Sequence, residues 1–94
     1  MRAQLLLRER RIVSESEFVD MVIWRLPNPT SGSSHRFKYR LAFVVEEDCV
    51  LRFDNEAGKG DHKHVGHDEI PYGFTSLDQL VADFWSEIDA WRRR

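Results

Sequence analysis

Several common features are scarce or missing in this chain, and each absence narrows what it can be. Cysteine occurs once, at Cys49, so no internal disulfide can form and the composition suits a reducing compartment. Leu5-Leu6-Leu7 is too short for a signal-peptide core and runs straight into Arg8-Glu9-Arg10-Arg11. Nothing approaches the roughly 20 consecutive apolar residues of a membrane helix. The expectation is a cytoplasmic protein with no membrane association. Repeats, low-complexity tracts and linkers are also missing, and 94 residues suffice for one core with little to spare, so 1–94 is expected to be a single domain. No sign of charge dominates, since the net charge is −2, but the charges are segregated. Residues 1–45 carry eight Lys/Arg against four Asp/Glu, residues 46–91 carry three against twelve, and Arg92, Arg93 and Arg94 close the chain. A local basic surface is compatible with the acidic total.

What is present is an ordinary globular composition, 41% apolar and 12% aromatic. In residues 3–13, Ala3, Leu5 and Leu7 alternate with other types, which predicts a strand, although the composition would suit a helix as well. After Ser14-Glu15-Ser16-Glu17, the run from Phe18 to Leu26 is apolar on both alternating sets: Phe18, Val22, Trp24 and Leu26, then Val19, Met21 and Ile23. That pattern predicts a central strand covered on both faces. Pro27 and Pro29 end it, and Thr30-Ser31-Gly32-Ser33-Ser34 reads as a polar, mobile loop.

The segment 36–45 puts Phe37, Tyr39, Leu41, Phe43 and Val45 on one face and Arg36, Lys38 and Arg40 on the other. The basic side must meet solvent, an acidic surface or an anion. Residues 50–54 form the next strand. A three-residue loop, Glu47 to Cys49, would merge the apolar faces of the two strands and bring Arg52 and Asp54 to the side of Arg40; loops of two or four residues would mix them. Residues 61–65 are a further strand candidate, and 66–74 a loop or short edge segment. Thr75 or Ser76 then caps a helix over about 76–92 whose apolar stripe is Leu77, Leu80, Val81, Phe84, Trp85, Ile88 and Trp91. The predicted fold is α+β: an antiparallel sheet of about four to six strands, within 3–67, with one C-terminal amphipathic helix packed on one face.

The stretch 54–67 is unlike the rest. It holds three of the four histidines and three of the five glycines, with Val65 its only bulky apolar residue. His62 and His64 would project from the same face of a strand, about 7 Å apart at roughly 3.3 Å per residue, with Lys63 on the other face. Imidazoles titrate near neutrality, so the pair can supply one base and one acid. That suits RNA cleavage by internal transesterification: a base takes the 2′-hydroxyl proton, an acid protonates the leaving 5′-oxygen, and cations steady the phosphorane. The candidate catalytic set is His62, His64, Asp54 and Lys63. The candidate substrate-binding set is Arg36, Lys38, Arg40, Arg52, Asn55 and Lys59. The reaction needs no cofactor and no metal. A competing reading makes His62 and His64, with Asp54, Asp61 or His67, ligands for a transition metal in a metal-dependent hydrolase. A third leaves the stretch a plain exposed loop and makes the chain a non-enzymatic interaction module that engages the antitoxin or a cellular target through the exposed side of the C-terminal helix or the outer edge of the sheet. Gly58-Lys59-Gly60 lacks the Lys-Ser/Thr ending and following helix of a nucleotide P-loop.

Three blocks carry a family resemblance: Met21-Val22-Ile23-Trp24-Arg25, His35-Arg36-Phe37-Lys38-Tyr39-Arg40-Leu41, and the run from Arg52 through Asp54-Asn55 to Lys59-Gly60-Asp61-His62-Lys63-His64. With Pro71-Tyr72-x-Phe74 and the helix, they make nearly the whole chain resemble the TumE family, small toxin-like proteins of bacterial type II toxin–antitoxin pairs. The resemblance implies a toxin whose partner is a helix-turn-helix antitoxin that carries the DNA binding. It transfers no catalytic residues. RNA is the candidate substrate, and a homo-oligomer is compatible with the sequence.

Overall fold

A computed structural model describes residues 2–56 and 58–94; Met1, and Ala57 within the histidine-bearing stretch, lie outside the described residues. Six strands form one antiparallel sheet in chain order: β1 (Gln4–Ser14), β2 (Glu17–Arg25), β3 (Phe37–Val45), β4 (Asp48–Asp54), β5 (His62–Val65) and β6 (Asp68–Pro71), followed by α1 (Leu77–Arg93). This is the α+β architecture that the alternation and the C-terminal stripe predict. β6 falls in the segment expected to be a loop or a short edge. Among the described residues no helix is long and apolar enough to cross a membrane.

The helix seals one face of the sheet only. Ser76 caps it, its Oγ accepting from the Gln79 amide at 3.1 Å, which satisfies one of the orphan N–H groups of the first turn. Leu80, Phe84 and Ile88 point from α1 onto Val19, Met21 and Ile23 of β2, Tyr39, Leu41 and Phe43 of β3, and Leu51 and Phe53 of β4. Phe84 and Phe53 meet edge-on at 5.8 Å between ring centroids, Trp91 and Phe43 at 5.6 Å. Arg92 Nε reaches Glu17 Oε1 at 3.1 Å and fastens the end of the helix.

The other face is uncovered, which corrects the expectation for β2. Phe18, Val22 and Trp24 are only half-buried, whereas Val19, Met21 and Ile23 are buried. The hydrophobicity of that second set is met by neighbouring side chains instead of a second layer; the Arg10 guanidinium, for example, sits 4.4 Å above the Phe18 ring.

The β3–β4 hairpin also differs from expectation. Val45 pairs with Asp48 and Val44 with Cys49, so the turn is the two residues Glu46-Glu47. Both have positive φ, 49° and 75°, the signature of a type I′ turn usually built from Asn and Gly. Two residues alone would have mixed the faces. A bulge restores them: the register shifts between Phe43 and Val44, Val50 is passed over, and Phe43 pairs with Leu51, Leu41 with Phe53 and Arg40 with Asp54. The apolar faces merge as burial requires, by a bulge in place of a longer loop.

The loop between β2 and β3 is docked, contrary to the mobile loop that its polar composition suggests. The Gly58 amide donates to Ser31 O at 2.7 Å. A Cβ on Gly32 would lie 3.2 Å from Gly60 N and 3.3 Å from Gly58 C, so the two glycine-bearing loops pack backbone against backbone.

Candidate functional site

β4 and β5 pair Asp54 with His62 and Arg52 with His64. All four side chains lie on the open face, because period-2 alternation carries them away from Leu51 and Phe53. They form a continuous chain of contacts. Arg52 Nη2 lies 2.8 Å from His64 Nε2, Arg52 Nε 2.8 Å from Asp54 Oδ2, Asp54 Oδ1 2.5 Å from His62 Nε2, and His62 Nδ1 3.1 Å from Gly60 O. Glu69 on β6 flanks the chain, its Oε1 3.7 Å from His62 Nε2. The imidazole rings are edge to face, 5.0 Å between centroids, closer than simple strand geometry predicts.

Donor and acceptor roles differentiate the two histidines. A guanidinium can only donate, so His64 Nε2 accepts and its ring is the neutral tautomer with the proton on Nδ1. Burial pushes the His64 pKa below its usual value, and the neighbouring Arg52 charge acts in the same direction. His62 faces acceptors at both nitrogens: Nδ1 donates to the Gly60 carbonyl, and Nε2 stands against the Asp54 carboxylate without an aligned hydrogen bond. His62 is also the more enclosed, at 5% exposure. Among the described residues, the buried atoms Arg52 Nε and Asp54 Oδ1 have no aligned hydrogen bond despite these close contacts. They are held by charge and proximity, an arrangement that another ligand can rearrange at low cost.

Asp54, His62 and His64 also present ligand atoms within 4.8 Å of one another, a set of one oxygen and two nitrogens that a transition metal accepts. Arg52 opposes this use, since it occupies the His64 Nε2 lone pair and brings a positive charge. Asp61 and His67 are not part of the cluster: Asp61 is engaged on the helix side, and His67 lies exposed in the β5–β6 turn.

The other candidate residues divide clearly. Arg40 pairs directly with Asp54 across β3–β4 and stands beside the cluster on the open face; Lys38 lines the same groove as Arg40, Arg52 and Asp54. Arg36 lies farther along, at a groove lined with Arg2, Gln4 and Arg25. Lys59 is exposed, 4.0 Å from Glu56. Lys63 is on the opposite face, 3.5 Å from Glu87 of α1 and above the Phe53 ring, so its charge serves the helix contact. Asn55 is buried, and its amide is already committed: Oδ1 accepts from the Tyr39 amide at 3.0 Å and Nδ2 donates to Phe37 O at 2.6 Å. It extends the β3–β4 ladder by one side chain and, at 1% exposure, is closed to a substrate.

A second polar cluster gathers around Asp61, which the sequence offers only as a candidate metal ligand, and adds His35 and Tyr39, which it does not offer as site residues. His35 Nδ1 accepts from the Phe37 amide at 3.1 Å, which leaves Nε2 to donate to Asp61 Oδ2 at 2.8 Å. The Tyr39 hydroxyl donates to the same oxygen at 2.6 Å. Phe74 stacks on the His35 ring at 3.8 Å. Burial and the Asp61 carboxylate push the Tyr39 phenol far above its ordinary range, so it stays a donor. This group ties the start of β3 to the start of β5 and to the segment leading into α1. Only the tertiary pairing of 35 with 61 brings it together, and no local spacing signals it.

Comparison with known proteins agrees with the family resemblance of the sequence blocks. No curated protein and no solved structure gives a significant match. The family model described as Toxin TumE matches residues 2–92, nearly the whole chain, including all six strands and the helix to within a residue of its end. A toxin family implies an antitoxin partner, and on this match the chain belongs to the TumE toxin family.

Proposed function

We propose that this toxin is the growth-inhibiting half of a type II toxin–antitoxin pair, and that it acts as a metal-independent endoribonuclease neutralised by a helix-turn-helix, DNA-binding antitoxin. The observation that carries the enzymatic reading is the His64–Arg52–Asp54–His62 chain, in which one imidazole is an acceptor and the other a donor 5.0 Å away. Substrate phosphate draws the Arg52 guanidinium off His64 and frees Nε2 as the base. His64 takes the 2′-hydroxyl proton, the 2′-oxygen attacks phosphorus, and the bond to the 5′-oxygen breaks as His62 delivers a proton from Nε2. The products are a 2′,3′-cyclic phosphate and a free 5′-hydroxyl, and the two histidines have exchanged protonation states. The Gly60 carbonyl orients His62 through Nδ1, Asp54 anchors Arg52 and gives up its contact with His62 Nε2 as that proton is delivered, and Arg52 and Arg40 neutralise the charge that builds on the phosphorane.

The test is cleavage of a fluorescent single-stranded RNA by purified protein in strong chelator. Persistent cleavage yielding a cyclic phosphate, lost in His64→Ala and His62→Gln, supports the reading. The cluster Asp54, His62 and His64 favours a second reading, a metal-dependent hydrolase. Cleavage abolished by chelator and restored by zinc or manganese would replace the first reading with that one. Growth inhibition that survives both histidine substitutions would reassign the protein to a non-enzymatic mode.

A further inference from the structure

We infer that the open face carries a track for single-stranded RNA that runs across the strands from Arg8 to the histidine pair, with Trp24 as a stacking platform for an unpaired base; this rests on the ribonuclease reading for its destination but not for its binding chemistry. The register makes the track. Arg8 pairs with Val22, Val22 with Arg40, Arg40 with Asp54, and Asp54 with His62. These five residues form one row across five strands, spanning four inter-strand spacings, or about 19 Å. The next row is Arg10, Asp20, Ala42, Arg52 and His64. The row on the other side begins with Leu5, Trp24 and Lys38.

A bulge in β1 puts Leu5 on the same face as Arg8. The register shifts between Leu5 and Leu7, so that Leu5 stands beside Trp24 on the open side while Leu7 pairs with the core residue Ile23. Charge pairing then separates two kinds of cation. Arg10 is clamped by Asp20 through two contacts of 2.7 Å, and Arg52 is held by Asp54. Arg8, Lys38 and Arg40 have no carboxylate oxygen within 4.0 Å among the described residues. The uncommitted cations therefore lie along the track, and the small side chain of Val22 leaves its floor low. Two grooves follow it and share Arg40: one of about 390 Å³ with Arg8, Arg10, Val22 and the acidic Glu9 and Asp20, the other of about 290 Å³ with Lys38, Arg52 and the acidic Asp54 and Glu56.

The occupant must be a polyanion that reaches His62 and His64. A second copy of the same face is repelled by the same cations. An acidic antitoxin segment would match the charge, but it gives no reason for this row and its neighbour each to reach an imidazole on β5. Duplex RNA hides its bases within the helix, whereas an aromatic ring beside a basic row on a sheet surface engages unstacked bases and backbone together.

The test is fluorescence anisotropy with a 2′-O-methyl RNA 12-mer, which cannot undergo transesterification, as a single strand and as a duplex. The expected result is preferential binding of the single strand. Trp24→Ala should weaken it about fivefold or more. Arg8→Glu should weaken it similarly and reduce the salt dependence by about 0.7 in log–log slope, the loss of one phosphate contact. Circular dichroism, and Arg8→Ala as a milder variant, separate binding loss from misfolding. Equal affinity of wild type and both variants, or equal affinity for duplex, overturns the track. Unchanged RNA binding with lost antitoxin binding would assign the row to the antitoxin and also overturn it. Binding that depends on Arg8 and Trp24 without any cleavage of ordinary RNA would sink the ribonuclease reading and leave the track standing.

Discussion

Strands β2, β3 and β4 send alternate residues to opposite sides of one sheet. Toward the helix they send Val19, Met21, Ile23, Leu41, Phe43, Leu51 and Phe53, all nearly or fully buried. Toward the open side they send Asp20, Val22, Lys38, Arg40, Arg52 and Asp54, and β5 adds His62 and His64 there. One side is held by packing, which is non-directional and additive in area. The other is held by a chain of charge contacts, two of them unaligned. A sheet with a single helix can thus keep its stability on one surface and its chemistry on the other, with the backbone ladder as the only shared element.

That division can be broken in a graded series. Phe84→Ala, on the covered side, should cost about 3–5 kcal/mol in denaturant unfolding, the usual cost of an emptied aromatic site; a loss below about 1 kcal/mol would mean the helix does not carry the core. His64→Ala, on the open side, should lower RNA cleavage by about 10²- to 10⁴-fold and relieve growth inhibition, while the denaturation midpoint moves little. A large midpoint shift in that variant would show that the open side is structural after all. In the turn, Glu46→Asn combined with Glu47→Gly should raise stability by about 1–2 kcal/mol, because Asn and Gly accept the positive φ values that glutamate tolerates poorly. For a domain of this size each kcal/mol raises the melting temperature by about 4–8 °C, and cleavage should not change.

The smallest effect concerns pH. The folded His64 has a lowered pKa, so between its folded value and the unfolded value near 6.5 the unfolded chain binds a proton that the folded chain does not. Stability from this group is full above about pH 6.5 and declines as pH falls toward the folded value. Thermal melts from pH 7.5 to 5 should show wild type losing stability faster than His64→Gln. Parallel curves would remove His64 from the account.

The sequence discloses some of this more readily than the rest. The alternation in 36–45 separates the buried aromatics from Lys38 and Arg40, and the spacing from Leu77 to Trp91 marks the helix stripe, because in both cases burial imposes a local period. The same parity groups Arg52 and Asp54 apart from Leu51 and Phe53, and His62 and His64 apart from Lys63. Asn55 is different: its capture by the Tyr39 and Phe37 backbone depends on where β3 and β4 stop pairing, which no spacing within β4 records. The Glu46-Glu47 turn is illegible for a related reason, since its residues contradict the turn type they adopt. The His35–Asp61–Tyr39 cluster joins positions 26 residues apart at its widest and exists only once the sheet has formed.

The bulge at Val50 also bears on how the chain tolerates changes in length. Its residue is surplus to the β3–β4 pairing: Val44 meets Cys49, Phe43 meets Leu51, and Val50 has no partner on β3, although its carbonyl accepts from the Gly66 amide at 3.0 Å. Deleting Val50 would therefore leave every later partner and every later face as they are, whereas deleting a residue farther along β4 would turn the downstream side chains over. Here a strand contains one place where the genetic message can be shortened by a codon without reversing which side of the protein its arginine, aspartate and histidines address.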